Sequence, residues 1–197
     1  MQELERVVLA SNNLNKLTEL RALLADRLAV IPQSEFNVKE AEETGLTFVE
    51  NSLIKARNAS LQTGLPAVAD DSGLQVDFLD GAPGIHSARY AGGDATDQDN
   101  RRKLILEMAS APAAQRTARF HCAIVMLRRP DDATPIICGA SWDGSILSHP
   151  KGSNGFGYDP LFLVAEFGCS AAELAPEVKN RISHRGQALT KLLDRVS

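Results

Sequence analysis

Cysteine is scarce in this 197-residue chain: Cys122, Cys138 and Cys169 are odd in number and widely spaced. No CxxC pair and no Cys/His ligand spacing accompanies them, which argues against metal and redox roles and leaves buried thiols in a reducing cytoplasm as the expectation. Long apolar runs are missing as well. None approaches the length needed to cross a bilayer, so no membrane partner is expected. Basic excess is absent: the formal net charge of -4 weighs against broad nucleic-acid binding, although a local basic pocket remains compatible with it. The amino terminus carries Glu3 and Glu5 ahead of a short strand, where a signal peptide would carry basic residues and a long apolar segment. There is no repeat, low-complexity tract or long linker, so residues 1–197 read as a single domain, with enough chain for two small lobes sharing one core.

What is present alternates strand and helix at first and then becomes a β-meander. Val7-Val8-Leu9-Ala10 reads as a buried strand, and Leu17, Leu20, Leu24 and Leu28 mark the helix after it. Thr47 and Glu50 form a capping box for a second helix that ends before Gly64 and Pro66. Val49, Leu53 and Ala56 are its expected apolar face, and Asn51, Lys55 and Asn58 its polar stripe. A third helix is announced by Thr96 and Asp99; its Arg101-Arg102-Lys103 run reads as a solvated face. Strands are expected at 118–127 and 135–142, with a tight turn at Asp143-Gly144 before a further strand at 145–147. A last helix is expected after Ser183. The fold class is therefore α/β, a mixed β-sheet flanked by helices, in two lobes around a central cleft.

Six residues, Ala69-Asp70-Asp71-Ser72-Gly73-Leu74, carry most of the chemical information. Two adjacent carboxylates fall where one apolar strand is expected to give way to another, and neighbours on extended backbone point to opposite faces. With Glu42-Glu43 upstream they supply hard oxygen ligands suited to Mg²⁺, which holds one or two carboxylates, waters and phosphates. An Asp-Asp pair by itself is weak evidence, since most such pairs are turn residues or solvated charge. Ser11-Asn12-Asn13-Leu14-Asn15-Lys16 lies at a strand-to-helix junction, where free amides and a lysine attract anions. It lacks the glycines and the Gly-Lys-Ser/Thr ending of a Walker A loop, and an Asn-rich turn with a solvated lysine is the other reading. Lys55 poses the same choice. The glycine-rich segment 151–160 encloses Phe156 and Tyr158, offering either a stacking face for a ligand or a turn with packed rings. His184 and Arg185 open the final helix, where their charge opposes the helix dipole; such conflicts are more expected at functional sites than in scaffold.

Taken in order, these segments resemble the inosine triphosphate pyrophosphatase family, whose members remove non-standard purine nucleotides. The resemblance rests on Ser11-x-Asn13-x-x-Lys16, Ala41-Glu42-Glu43-Thr44-Gly45, Phe48-x-Glu50-Asn51 and Ala69 to Leu74. It continues through Gly81 to Gly84 with Ser87 to Tyr90, Gly155 to Pro160, and Ser183-His184-Arg185. It extends over nearly the whole chain and is nearest to the bacterial branch; Asn12 and Asn154 depart from residues common in the family.

The resemblance implies an elongated α/β homodimer that hydrolyses XTP, ITP and dITP to the monophosphate and pyrophosphate with Mg²⁺. Asp71 would be the catalytic carboxylate, and Glu42 and Asp71 the metal ligands, with Glu43 the alternative. Ser11, Asn12, Asn13, Leu14, Asn15 and Lys16 would cradle the phosphates, assisted by Lys55, with Ser72 touching substrate. Phe156 would stack on the base beside Gly157, Tyr158 and Asp159; Lys179, His184 and Arg185 would approach the purine edge. A pyrimidine triphosphate hydrolase, a non-catalytic nucleotide sensor and an RNA-binding module are the competing readings. The acidic balance weighs against the last of them.

Overall fold

A computed structural model describes residues 6–24 and 27–196; Glu3 and Glu5 lie outside the described residues. The architecture is α/β, as expected. Strands β1 (Arg6–Leu9), β2 (Ala29–Pro32), β3 (Ala67–Val76), β4 (Thr117–Leu127), β5 (Ile136–Ile146), β6 (Phe162–Val164) and β7 (Cys169–Ser170) form one sheet in the order β2-β1-β3-β4-β5-β6-β7. Pairing of β1 with β2 and with β3 is parallel, whereas β5 with β6 and β6 with β7 are antiparallel. The sheet is thus mixed. Helices are α1 (Leu14–Leu24), α2 (Phe48–Thr63), α3 (Asp97–Glu107), α4 (Pro176–Ile182) and α5 (His184–Val196).

The chain divides into two compact units, one of Met1–Asp71, Cys122–Ala140 and Arg185–Ser197, the other of Ser72–His121 and Ser141–His184. In the first unit β1 is buried on both faces, as parallel strands in α/β proteins are. Val7 and Leu9 join Leu17, Leu20, Leu24, Leu189 and Leu192 on one side, while Val8 and Ala10 join Ala56 and Ala59 on the other. Alternation along one strand therefore serves two helical layers. The second unit has a core of its own around Leu74, Leu104, Phe120, Trp142 and Phe162.

Three sequence expectations change. The Asp70-Asp71 pair does not separate two strands; β3 runs unbroken for 10 residues through it. Asp143-Gly144 is no turn either, because β5 continues across it. Glycine is required there for a different reason: a Cβ on Gly144 would lie 2.5 Å from the Leu163 carbonyl oxygen on β6. On α2 Ala56 is buried and Leu53 packs against the core as expected, but Val49 is exposed and the buried face is completed by Phe48, Asn51, Ser52, Ala59 and Ser60. Small residues let this helix approach closely, and Ser52 and Ser60 donate 2.8 Å hydrogen bonds to the carbonyls of Ala123 and Leu65. The predicted Thr47–Glu50 and Thr96–Asp99 capping boxes are both formed. Cys122 and Cys138 are buried as expected, and burial pushes the Cys122 thiol up to about 12.

Candidate active site

Asp70 and Asp71 occupy adjacent positions on β3 and meet different partners. Asp70 is wholly buried; its carboxylate lies 2.9 Å from Lys16 Nζ and 3.4 Å from Arg185 Nε. Arg185, itself buried, also pairs through Nη1 with Glu19 on α1. Burial alone would raise the Asp70 carboxyl, but Lys16, Arg185 and Lys55 more than offset it and hold that group well below the usual carboxylate range. The Asp70 carboxylate thus anchors two cations. This also accounts for an arginine in the first turn of α5: its charge is neutralised by two carboxylates, so the opposing dipole is not decisive.

Asp71 faces α2. Asn51 Nδ2 donates to its Oδ2 at 3.3 Å, and Lys55 Nζ lies 3.4 Å from its Oδ1. The same lysine lies 3.0 Å from Glu43 Oε1, and Asn51 Oδ1 accepts the Gly45 amide at 2.8 Å. Residues one turn apart on α2 thereby hold the acidic segment 43–45 beside β3. Asp71 shifts the opposite way from Asp70: burial raises its carboxyl, the nearby Glu43 and Asp70 charges add to the rise, and Lys55 and Lys16 only partly counter it. The Lys55 ammonium, which burial would disfavour, is held charged by Asp71, Asp70 and Glu43.

Of the two adjacent glutamates, Glu43 is drawn to this cluster while Glu42 is exposed. Among the described residues no three His, Cys, Asp or Glu converge into a ready-made metal cage. The donor set nevertheless fits Mg²⁺: two carboxylates already share one cation, and this ion takes few protein ligands and completes its shell with waters and phosphates.

At the start of α1, Asn13 Oδ1 accepts the amides of Asn15 at 3.0 Å and Lys16 at 3.1 Å, while Ser11 Oγ accepts that of Asn13. Asn12 bridges outward, donating to Glu40 and accepting from Gln33. Leu14 and Asn15 are exposed, and Lys16 turns inward to Asp70. The junction is thus a capped helix start with one lysine anchored on β3.

In the second unit, Lys179 on α4 donates to Asp159 Oδ2 at 2.6 Å, a buried pair, and its ammonium lies 5.0 Å from the centre of the Phe156 ring. Asp159 also accepts the Phe156 amide at 2.9 Å. Gly155 is essential to this knot: its φ is +73°, and a Cβ there would sit 2.1 Å from Asp159 Oδ2. Tyr158 is buried and donates to the Ser87 carbonyl at 2.9 Å. His184 is buried against Phe120, the rings stacked at 4.8 Å and 11°. Ser72 is half-buried on β3.

The structure therefore sorts the predicted residues into two groups: Lys16, Lys55, Asp71 and Arg185 in the first unit, and Phe156, Asp159, Lys179 and His184 in the second. Sequence reasoning missed Glu19, which looks like any polar helix residue, and the carboxylate contact of Asn51, hidden in an ordinary polar stripe. It also misread Arg101 and Lys103 as solvated; both donate to backbone carbonyls, at 2.6 and 2.7 Å.

These arrangements belong to a known lineage. The Ham1 family model matches residues 7–195. The chain is 57% identical over 190 residues to the dITP/XTP pyrophosphatase of Photobacterium profundum, covering 96% of each chain. It is 56% identical over 192 residues to the dITP/XTP pyrophosphatase of Escherichia coli (strain K12), covering 97% of this chain and 98% of that one. A solved structure of a HAM1 protein from Coxiella burnetii aligns with a TM-score of 0.91 and 50% identity over 98% of both chains. With near-complete coverage in sequence and in fold, this chain belongs to the Ham1 family.

Proposed function

We propose that this protein hydrolyses non-standard purine nucleoside triphosphates, dITP, XTP and ITP, to the monophosphate and pyrophosphate. One observation carries the reading: two half-buried lysines, Lys16 and Lys55, each lie against one member of an adjacent carboxylate pair on β3. Cations held by acidic groups, in a chain of acidic balance, suit a polyanionic substrate accompanied by a divalent cation. The names of the matched relatives support the same reading.

Asp71 is the group best placed to accept the proton of a water attacking the α-phosphorus, because its raised carboxyl makes it a stronger base than an ordinary aspartate. Lys16 and Lys55 bind phosphate oxygens and neutralise charge gathering on the departing pyrophosphate. Mg²⁺, held by Glu43 and Asp71, would supply further charge neutralisation when bound. Phe156 offers a flat face to the base. Lys179 and His184 can donate hydrogen bonds to a purine with an oxygen at position six, where adenine would present a donor of its own; Arg185 serves the Asp70 cluster instead. A homodimer and a cytoplasmic setting are part of the proposal, supported by the family motifs along the chain and by thiols lacking any paired spacing. No described helix is long and apolar enough to cross a membrane.

The two glutamates give a direct test. Glu43→Gln is expected to raise the Mg²⁺ concentration for half-maximal pyrophosphate release from dITP by about tenfold or more, while Glu42→Gln stays near the parent. Equal effects, or a larger effect at Glu42, would contradict the assignment of Glu43. Release of orthophosphate instead of pyrophosphate would contradict the function itself.

A further inference from the structure

The loop at Gly155–Asp159 is held from outside by a helix to which neither the motifs nor the proposed function give a role. Gly157 donates its amide to Asp97 Oδ2 at 2.7 Å and receives Arg101 Nη1 on its carbonyl oxygen at 2.6 Å. Asp97 and Arg101 stand one turn apart on α3, so a carboxylate and a guanidinium address one residue from the same face. The match is chemical as well as geometric: a carboxylate only accepts and a guanidinium only donates, and Gly157 presents one donor and one acceptor.

The neighbouring bonds show what this clamp fixes. The Phe156 amide donates to Asp159 Oδ2 at 2.9 Å, and the Phe156 carbonyl accepts the Asp159 amide at 3.1 Å. The polar backbone groups of both Phe156 and Gly157 are therefore bonded, two by the loop itself and two by α3. Peptide planes on either side of the Phe156 α-carbon are pinned, which fixes the direction in which its side chain leaves the backbone and restricts the rotamers open to the ring. The same helix holds the adjoining segment: Asn100 bonds the backbone of Ala88 and Ala91, and Lys103 donates to the Tyr90 carbonyl. The Tyr158 hydroxyl bonds Ser87 in that segment.

We infer that Asp97 and Arg101 are positioning residues for base recognition, acting through Gly157 to hold the Phe156 ring in its stacking orientation. The inference rests on the proposed role of Phe156 as the base platform. It adds a source of nucleotide affinity that lies outside the family motifs. Aromatic stacking strengthens binding of a nucleotide without needing to change the reacting phosphate, so loosening the clamp should appear in KM before kcat.

The experiment compares Asp97→Ala, Asp97→Asn, Arg101→Ala and Phe156→Ala with the parent in pyrophosphate release from dITP and dATP. Inhibition by inorganic tripolyphosphate, which has no base, is measured alongside. Asp97→Ala and Arg101→Ala are expected to raise KM for dITP about tenfold with kcat within about twofold. Tripolyphosphate inhibition stays at the parent value, and Asp97→Asn, which keeps an acceptor, recovers most of the loss. The Asp97→Ala and Phe156→Ala effects should fall short of additive when combined, because one acts through the other. Asp97 is exposed, so its variant reports even if Arg101→Ala fails to fold. Parent-like KM in Asp97→Ala, no rescue by Asn, or matching losses against tripolyphosphate would overturn the clamp. Parent-like KM in Phe156→Ala would instead overturn the base-platform reading beneath it.

Discussion

Asp71→Asn is expected to lower pyrophosphate release from dITP by about a thousandfold while changing unfolding free energy by less than about 1 kcal/mol. Asparagine has the same shape and keeps an oxygen toward Lys55 or Asn51, so packing on β3 is preserved. What it loses is the negative charge, and that charge is not a source of stability here. Burial disfavours it, Glu43 and Asp70 oppose it, and Lys55 retains Glu43 when it is gone. Activity and stability should therefore separate cleanly. Turnover at the parent rate would remove Asp71 from the chemistry, and a large loss of stability would recast it as scaffold.

The residue before it should behave in the opposite manner. Asp70→Ala is expected to cost about 3 to 5 kcal/mol, the range seen when a buried ion pair loses one partner. Arg185, with a side chain only 4% exposed, would keep Glu19 but lose its second carboxylate, and Lys16 would lose its anchor. The pH dependence supplies an independent signature. Because the folded Asp70 carboxyl lies well below its unfolded value of about 3.9, its contribution is complete above that value and disappears as pH falls toward the folded one. Urea titrations at descending pH should show the parent losing stability below about pH 5. The Asp70→Ala variant should lose less over that interval. A variant as stable as the parent, or one with the same acid slope, would contradict this role. On this proposal two neighbouring aspartates divide the work, one holding cations in place and the other serving the reaction.

Much of this was legible in the residues alone. Capping boxes at Thr47 and Thr96 announce helix starts because their bonds are local, and the short apolar run of β1 announces a buried strand by its composition. The acidic pair, the two lysines and the aromatic loop stood out by type and spacing. What could not be read was which partner each would meet. Nothing local distinguishes Glu42 from Glu43; the choice is made by α2, through Lys55 on Glu43 and Asn51 on Gly45. Asp143-Gly144 carries a turn signal, yet tertiary contact with β6 keeps β5 extended. Arg185 looked like a donor awaiting a ligand, whereas Asp70 and Glu19, 115 and 166 residues away in sequence, already engage it. Arg101 and Asp97 belong to the same class, since only the folded chain brings them to Gly157.

Cationic side chains anchored on a carboxylate strand, serving a triphosphate whose base carries a six-position oxygen, predict one pattern of turnover. Side-by-side pyrophosphate release from dITP, XTP, ITP, GTP and dATP, with Mg²⁺ and with chelator, measures it. Release from the first three at least about a hundredfold faster than from dATP, and lost on chelation, is the predicted outcome. Equal turnover of dATP and dITP, or nucleotide binding without any pyrophosphate formed, would contradict it.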